Sequence, residues 1–258
     1  MIGLFDSGLG GLTVVRRVRA LLPQHDLVFL ADQAHVPYGD RSADDLAGLL
    51  RTNLAWLDAQ NVEAIVMACN TSCAVADSHG YPHTEAPVLD LIESAAIAIR
   101  DAGFVRIGVV ATQATVRSGA YARRIRALLP HAHVVEVAAP TLVPLVEAGE
   151  VEGAVPRAAV ATVCAQLPHD LDAVILACTH YPVLDDHFAV AWGVNVARID
   201  PAFEQAGRTA ALVAARGIEP GHGHTRYMTT GNVENFRARV AEIMEHDAHC
   251  ESAQLCHG

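Results

Sequence analysis

The chain contains no lysine, because all 18 of its cationic side chains are arginines. A pyridoxal phosphate enzyme holds its cofactor as a Schiff base to a lysine amine, and a P-loop also depends on a lysine to bind phosphate. Both kinds of chemistry are therefore excluded for this chain acting alone.

Long apolar runs and a surplus of positive charge are missing as well. No stretch approaches the roughly 18–20 uninterrupted apolar residues that a membrane span needs, and the opening MIGLFDSGLGG lacks the basic region of a signal peptide. The formal charge of −11 argues against a broad surface for nucleic acid or acidic membranes. We therefore expect a soluble cytoplasmic protein with no nucleic-acid or membrane partner, whose six cysteines are reduced thiols.

The remaining composition is that of a globular α/β protein. The 258 residues, 52% of them hydrophobic, suit one large domain or two smaller ones. Short apolar runs alternate with helical patterns, which is typical of parallel sheets, and one helix is predicted over 43–59 with Ser42 as its N-cap. The predicted strands are Ile2–Phe5, Leu27–Leu30, Ala64–Met67, Arg106–Val110, Val134–Val137, Ala173–Leu176 and Val196–Ile199.

Part of the sequence repeats. Val62–Cys69 aligns without gaps on Leu171–Cys178, at an offset of 178 − 69 = 109 residues, and Ile2–Phe5 aligns on Ile107–Val110 at 107 − 2 = 105. The similar offsets favour a duplicated α/β unit, although buried parallel strands also resemble one another without duplication. Because ligands bind beyond the carboxyl ends of strands in open α/β sheets, the cysteines that end both copies would face one ligand from opposite sides.

Two facing thiols suit proton exchange at carbon. Inverting an amino-acid α-carbon without a cofactor needs a base on one face, an acid on the other, and fixed donors for the developing charge. A thiol has a reference pKa of about 8.5, so a modest shift supplies either form near neutral pH. We therefore predict a cofactor-independent amino-acid racemase with Cys69 and Cys178 as its acid and base.

The glycines near the N-terminus have a separate interpretation. Gly8, Gly10 and Gly11 do not form a dinucleotide-binding motif, because position 13 is Thr13. We expect them to allow close approach of the backbone to a small ligand. Asp6, just before them, could also serve only to cap the helix that starts near Gly11.

A set of ordered motifs resembles the glutamate racemases, within the wider aspartate/glutamate racemase group. The motifs span nearly the whole chain and are Asp6-Ser7-Gly8 with Gly10–Val14, Pro37-Tyr38-Gly39, Ala68–Thr71, Ala177–Pro182, and Thr229-Thr230-Gly231 with Phe236. The resemblance implies that Cys69 and Cys178 each exchange a proton on one face of glutamate. It also implies that Asp6 assists Cys69, while His180 and Glu147 assist Cys178.

The resemblance further implies a substrate-binding set and an architecture. Its binding residues are Asp6, Ser7, Pro37, Tyr38, Gly39, Asn70, Thr71, Thr112, Thr115, Thr179 and His180. It implies two pseudo-symmetric open parallel-sheet α/β domains with the active site between them, no cofactor and no metal, a homodimer, and D-glutamate supplied to peptidoglycan synthesis. We expect residues 1–93 plus 208–258 in one domain and 94–207 in the other. The stretch 111–115 lacks the family's usual glycines before both threonines, so we expect its backbone to differ.

Other functions stay open. Aspartate is an alternative substrate, because the size of the pocket cannot be determined from the sequence. A cysteine hydrolase or amidotransferase would use Cys178 or Cys69 as nucleophile and His180 as base, although His180 lies only two residues from Cys178, too close for a typical spatial triad. Cys73 and Cys164 are predicted to be structural. A third class would bind a metal through tail residues His246, His249, Cys250, Cys256 and His257, whose spacing matches no familiar metal site.

Overall fold

The structure, a computed structural model, describes residues 1–255 and contains two parallel β-sheets. The strands are β1 (Ile2–Asp6), β2 (Leu27–Ala31), β3 (Ala64–Met67), β4 (Val88–Asp90), β5 (Arg106–Ala111), β6 (His133–Ala138), β7 (Ala173–Ala177), β8 (Ala197–Ile199), β9 (Thr225–Thr229) and β10 (Cys250–Ser252). The first sheet has the order β10-β9-β2-β1-β3-β4 and the second β6-β5-β7-β8. The predicted fold class, two parallel-sheet α/β lobes, is confirmed.

The two sheets repeat one arrangement. The order β2-β1-β3-β4 in the first sheet has the same sequence of chain connections as β6-β5-β7-β8 in the second. The register repeats too, because Ile2 pairs with Ala64 as Ile107 pairs with Ala173. These four residues are equivalent in the alignment that predicted a duplicated unit. β9 and β10 extend the first sheet beyond β2, and neither strand was predicted.

Helices connect the strands, and five of those in the described residues begin at a side-chain cap. They are α1 (Leu12–Leu21), α2 (Ala43–Asp58), α3 (Asn70–His79), α4 (Leu91–Ala102), α5 (Gln113–Ser118), α6 (Ala120–Leu128), α7 (Leu142–Glu147), α8 (Ala154–Cys164), α9 (Asp185–Trp192), α10 (Pro201–Arg216) and α11 (Val233–Met244). Ser42 caps α2 as predicted, since its Oγ accepts a hydrogen bond from the Asp45 N–H at 3.2 Å. Asp90 caps α4 in the same way, and α4 ends at Gly103 with a φ of +71°.

The chain passes from the first sheet to the second after α4, and returns through α10, which packs against α1 and α4. The sheets therefore divide the chain in the predicted order, while the borders near residues 93 and 208 stay a prediction. In β5, Ile107 and Val109 face the main hydrophobic core and Val110 faces a smaller core on the other side of the second sheet. In residues 1–255, no helix is both long and apolar enough to span a membrane.

Candidate active site

A cavity of about 330 Å³ lies between the carboxyl ends of strands from the two sheets. All of the predicted site residues line it except Thr115. The lining residues are Asp6, Ser7, Val36, Pro37, Tyr38, Gly39, Asp40, Cys69, Asn70, Thr71, Thr112, Gln113, Pro140, Val143, Pro144, Glu147, Cys178, Thr179, His180 and Tyr181. The volume falls in the range of small-molecule sites.

Cys69 lies on the first-lobe side of the cavity, at the N-cap of α3. Its side chain is nearly buried, and its Sγ lies 3.5 Å from the Ser7 Oγ. Burial, together with the nearby negative charge of Asp6, raises the pKa of the Cys69 thiol to about 12, although Ser72 and Ser7, which can hydrogen-bond to a thiolate, lower it. Cys69 is therefore a neutral thiol at pH 7 in the unliganded protein.

Asp6 ends β1 and is held by backbone donors. Its carboxylate accepts hydrogen bonds from the Ser7 N–H at 2.8 Å and from the Gly11 N–H at the start of α1. Across the cleft, the Thr179 hydroxyl donates to the same carboxylate at 3.3 Å. Burial raises the pKa of Asp6 above its ordinary value, outweighing the positive charge of His180 and these hydrogen bonds. Asp6 thus caps α1 and also stands beside Cys69.

On the second-lobe side, three side chains form a continuous hydrogen-bonded chain. The His180 Nδ1 lies 3.7 Å from the Cys178 Sγ, and the His180 Nε2 lies 2.5 Å from the Glu147 Oε1. Burial lowers the pKa of His180, but the hydrogen bonds with Cys178 and Glu147 outweigh it, so the pKa lies well above the ordinary value. Burial raises the pKa of Glu147, and the His180 hydrogen bond outweighs it in turn, so that pKa is lowered. Both shifts favour an imidazolium paired with a carboxylate.

His180 contacts Cys178 although it lies only two residues further along the chain. The resemblance implied that His180 assists Cys178, whereas the short spacing argued against a typical hydrolase triad. The chain turns sharply after β7, where the Tyr181 N–H donates to the Cys178 carbonyl at 3.0 Å and a short 3₁₀ helix follows over 181–184. The turn brings the imidazole of His180 back beside the sulfur.

Three of the threonine hydroxyls predicted to bind substrate form a continuous row of contacts across the cleft. The Thr71 and Thr112 hydroxyls lie 3.0 Å apart, and so do the Thr112 and Thr115 hydroxyls. Thr112 also caps α5 by accepting a hydrogen bond from the Thr115 N–H at 3.3 Å. Thr115 is fully buried and contacts the cavity only through Thr112. Despite the unusual sequence over 111–115, Thr112 lines the cavity.

Tyr38 is held by a buried carboxylate that sequence reasoning missed. The Tyr38 hydroxyl donates to the Asp32 Oδ2 at 2.5 Å, and Asn53 donates to the same oxygen at 3.3 Å. The Asp32 Oδ1 accepts hydrogen bonds from His35 and Thr230, both at 2.8 Å. The position of Asp32 was a usable signal, because it directly follows β2 much as Asp6 ends β1. Thr230, from the predicted motif Thr229-Thr230-Gly231, is thus linked to Tyr38 through Asp32.

Asn70 has a buried partner in the other lobe. The hydroxyl of Tyr121, on α6, donates to the Asn70 Oδ1, and Tyr121 is completely buried. Because its carbonyl oxygen is engaged, the Asn70 amide has its N–H groups available to the cavity. Sequence reasoning missed Tyr121 because a single tyrosine in a helix carries no local signal of function.

The cavity offers neutral donors for anions. Among the described residues that line it, none is an arginine, and the chain has no lysine. The N-terminus of α3, with Asn70 and Thr71 in its first turn, opens onto the cavity and places backbone N–H groups and the positive end of a helix dipole there. Hydroxyl, amide and backbone groups can therefore bind carboxylates in this site.

Two glycines of the N-terminal motif lie directly against protein side chains. A Cβ added to Gly10 would lie 2.8 Å from the His180 Nδ1 and would overlap the Thr179 hydroxyl, and one added to Gly11 would meet the Asp6 side chain. The expected close approach of this backbone to a ligand stays a prediction. Gly10 is needed because the second lobe packs directly over this backbone.

The other described cysteines do not line the cavity. Cys73 is fully buried with its Sγ 3.7 Å from the Met67 carbonyl, and Cys164 is buried at the end of α8. Of the predicted tail cluster, Cys256 and His257 lie outside the described residues. Within residues 1–255, no group of three or more His, Cys, Asp or Glu side chains could hold a metal ion.

Comparisons with known proteins agree with this geometry. A family model described as Asp/Glu/Hydantoin racemase matches residues 12–215. The glutamate racemase of Desulforudis audaxviator is 39% identical over 254 residues, covering 94% of this chain and 93% of that protein. A crystal structure of glutamate racemase from Francisella tularensis in complex with D-glutamate matches with a TM-score of 0.91 and 28% identity, covering 98% of this chain and 97% of that one. Glutamate racemase from Thermus thermophilus, in complex with β-chloro-D-alanine, matches with a TM-score of 0.87 and 35% identity, covering 98% and 96%.

Two like α/β lobes that share one cleft, with a thiol from each lobe on its walls, match the Asp/Glu racemase class. The resemblance carried by the sequence motifs is thereby confirmed. Within that class, the chain belongs to the glutamate racemase family.

Proposed function

We propose that the protein interconverts L-glutamate and D-glutamate by proton transfer between the α-carbon and two thiols, Cys69 and Cys178. The observation that carries the proposal is that both thiols line one cavity from equivalent strand ends of the two lobes. The thiolate of one cysteine removes the α-proton while the thiol of the other delivers a proton to the opposite face, so the configuration inverts and no redox step occurs.

The two thiols work with different partners in this proposal. On the first-lobe side, Asp6 lies beside Cys69, and its raised pKa suits a carboxyl group that takes the thiol proton and returns it. On the second-lobe side, the imidazolium of His180 exchanges a proton with Cys178, and Glu147 stabilises the positive charge of the ring. In the direction that begins with Cys69 protonated, this thiol is the acid.

Substrate recognition is proposed to rely on neutral donors. The backbone N–H groups at the start of α3, the Asn70 amide and the Thr71, Thr112 and Thr179 hydroxyls can bind the two carboxylates of glutamate. Ser7, Tyr38 and Gly39 line the same space.

The biological setting is part of the proposal. D-glutamate would be supplied to peptidoglycan synthesis in the cytoplasm, by a homodimer. The five described cysteines are free thiols, which suits a reducing compartment and a mechanism that needs two of them unpaired.

Racemisation is tested in deuterated water. The purified protein is incubated with L-glutamate under reducing conditions at pH 8, with chelator and without added cofactor. Optical rotation is expected to decay while the α-position takes up deuterium. Inert glutamate and inert aspartate would together refute the racemase, whereas turnover of aspartate alone would change the substrate.

Variants test the two-thiol mechanism. Cys69→Ser and Cys178→Ser are each expected to lose most racemase activity, while the buried Cys73→Ser keeps most of it. The chain Cys178–His180–Glu147 also has the geometry of a hydrolase triad. A hydrolase would need only Cys178, so full activity of Cys69→Ser, in racemisation or in glutamine hydrolysis, would eliminate the paired mechanism.

A further inference from the structure

One buried hydroxyl beside the site has no partner in the resting protein. Ser72, in the first turn of α3, is 2% exposed, and its Oγ makes no hydrogen bond to any other described residue. A buried hydroxyl that is left unpaired is costly, and such groups in folded proteins call for an explanation. The proposed reaction supplies one, because a new acceptor forms nearby during turnover.

The acceptor is the sulfur of Cys69. Cys69 is the N-cap of α3, which makes Ser72 the third residue of the helix, and an N-cap acceptor receives hydrogen bonds from the second or third residue. A neutral thiol is a weak acceptor and can donate to Ser7 instead, whereas a thiolate is a strong acceptor. Because they can donate to the thiolate, the Ser72 hydroxyl and N–H both lower the pKa of Cys69, and the hydroxyl has the larger effect of the two.

We propose that Ser72 is a positioning residue that donates its hydroxyl hydrogen bond to the Cys69 thiolate. This inference deepens the proposed function. When Cys69 delivers its proton, the S–H bond breaks, a C–H bond forms at the α-carbon, and the negative charge of the carbanion passes to the sulfur. The Ser72 hydroxyl, unpaired until then, is placed to donate to that charge.

The surroundings of Cys69 make such a donor necessary. The titratable groups that face it are Asp6 at the end of β1, Tyr38 in the segment after β2, and Cys73 one turn along α3. Asp6 is an anion that opposes a second negative charge, and burial keeps Tyr38 and Cys73 neutral by raising the pKa of each well above its ordinary value. The positive charge of His180 acts on Asp6 from across the cleft. The thiolate is therefore stabilised mainly by the start of α3 and by the serine hydroxyls.

The test compares two alanine variants of one helix. Ser72→Ala removes a hydroxyl that makes no hydrogen bond in the resting state, and alanine favours the helix, so the free energy of unfolding is expected to stay equal or to rise. The matched control is Ser78→Ala in the same helix, because the Ser78 hydroxyl donates to the Ala74 carbonyl at 3.0 Å and does not line the cavity.

The readout is the alkylation rate of Cys69 with iodoacetamide, followed by peptide mass spectrometry from pH 7 to 10. Full-length protein with Cys178→Ser serves as the background. If the pKa of Cys69 rises by about one, the fraction of thiolate falls about tenfold. Each thiolate is then about threefold more reactive, because the nucleophilicity of a thiolate increases with its pKa. Ser72→Ala is therefore expected to react about threefold more slowly below the pKa, and Ser78→Ala to react at the parent rate.

A second readout uses the protein with both thiols. The pH profile of kcat/KM is expected to move to higher pH in Ser72→Ala, equally for both enantiomers because the equilibrium constant of racemisation is one. Equal alkylation rates in Ser72→Ala and its parent would overturn the proposal, as would equal slowing in the Ser78→Ala control. If alkylation slows selectively but the protein racemises no amino acid, the proposed function fails while the role of Ser72 at the thiolate stands.

Discussion

The most informative single substitution is Asp32→Asn, because it changes one atom of a fully buried carboxylate. One oxygen of Asp32 accepts from His35 and Thr230, and the other accepts from Tyr38 and Asn53. Asparagine keeps one acceptor oxygen and turns an N–H₂ group towards the other pair of donors. Two of the four donors therefore lose their acceptor, and the other two lose the charge on theirs.

The magnitude follows from the kind of hydrogen bond lost. Hydrogen bonds to a charged group contribute about 1.5–3 kcal/mol each, and hydroxyl rotation in Tyr38 and Thr230 recovers part of the loss. We expect Asp32→Asn to lower the free energy of unfolding by about 2–4 kcal/mol, and the melting temperature by roughly 5–15 °C. Since Tyr38 lines the cavity and loses its strongest partner, KM for glutamate should rise by about tenfold, with kcat less affected.

The pH dependence gives a further check. Burial raises the pKa of Asp32, but its hydrogen bonds outweigh this, so the folded-state pKa lies below the ordinary value of 3.8. The carboxylate therefore contributes stability above pH 3.8, which is lost as the pH falls through the lowered folded-state pKa. The difference between parent and variant should be full at pH 7 and shrink below pH 3.8.

The assay is urea unfolding at pH 7 and at pH 3.5, together with steady-state racemase kinetics. The control is Asp26→Asn, whose carboxylate accepts backbone N–H groups of His222 and His224 at an exposed position. A loss within about 0.5 kcal/mol for Asp32→Asn would refute the reasoning, because surface substitutions fall in that range. So would an equal loss in the control.

Three other substitutions test the geometry of the cleft. Gly10→Ala adds a methyl group 2.8 Å from the His180 Nδ1 and should hold the lobes apart, cutting kcat/KM at least about tenfold and increasing the radius of gyration in X-ray scattering. Glu147→Gln should cost about 1 kcal/mol near pH 7, a value discounted because Glu147 is 39% exposed. Because the pKa of His180 is raised, the stability that this residue contributes is present below pH 6.5 and is lost as the pH rises through the folded-state pKa. Because the pKa of Glu147 is lowered, the stability that it contributes is lost as the pH falls through its folded-state pKa. Unfolding measured at acidic, neutral and alkaline pH checks both losses. Tyr121→Phe frees the amide of Asn70 and should raise KM more than it lowers kcat, whereas equal stability and unchanged KM would contradict that role.

Much of the fold was predictable because five of the seven predicted strands are buried on both faces. Parallel strands of that kind are nearly continuous apolar runs, and all seven predicted strands exist within one or two residues. The three strands that were not predicted, β4, β9 and β10, have weaker strand patterns in their sequences. β4 has only three residues, two of them half-buried, and β9 carries Thr225 and Arg226 on its exposed part. These strands form because they pair with neighbouring strands of the first sheet, and their own sequences do not indicate that pairing.

Site residues at the carboxyl ends of strands could be predicted from the sequence. Residues that act by hydrogen-bonding to those site residues could not. Cys69 and Cys178 follow from the repeat alone. Asp32 and Tyr121 act through hydrogen bonds to residues that are distant in sequence or in another lobe, and no spacing rule reports such contacts. The contact between His180 and Cys178 was implied by the resemblance but not by their spacing, because a two-residue separation allows it only through the turn after β7.

The duplicated unit produces two like thiols in unlike surroundings. Cys69 stands beside the carboxyl group of Asp6 and the start of a helix, while Cys178 stands beside the imidazolium of His180. Because the equilibrium constant between mirror-image amino acids is one, any change at either thiol must alter kcat/KM equally for both enantiomers, and the asymmetry can appear only in KM and kcat separately. Asp6→Asn and Glu147→Gln should therefore change the ratio of the two KM values in opposite directions. If both variants change the ratio in the same direction, the surroundings of the two thiols do not determine which cysteine carries the proton in the free enzyme.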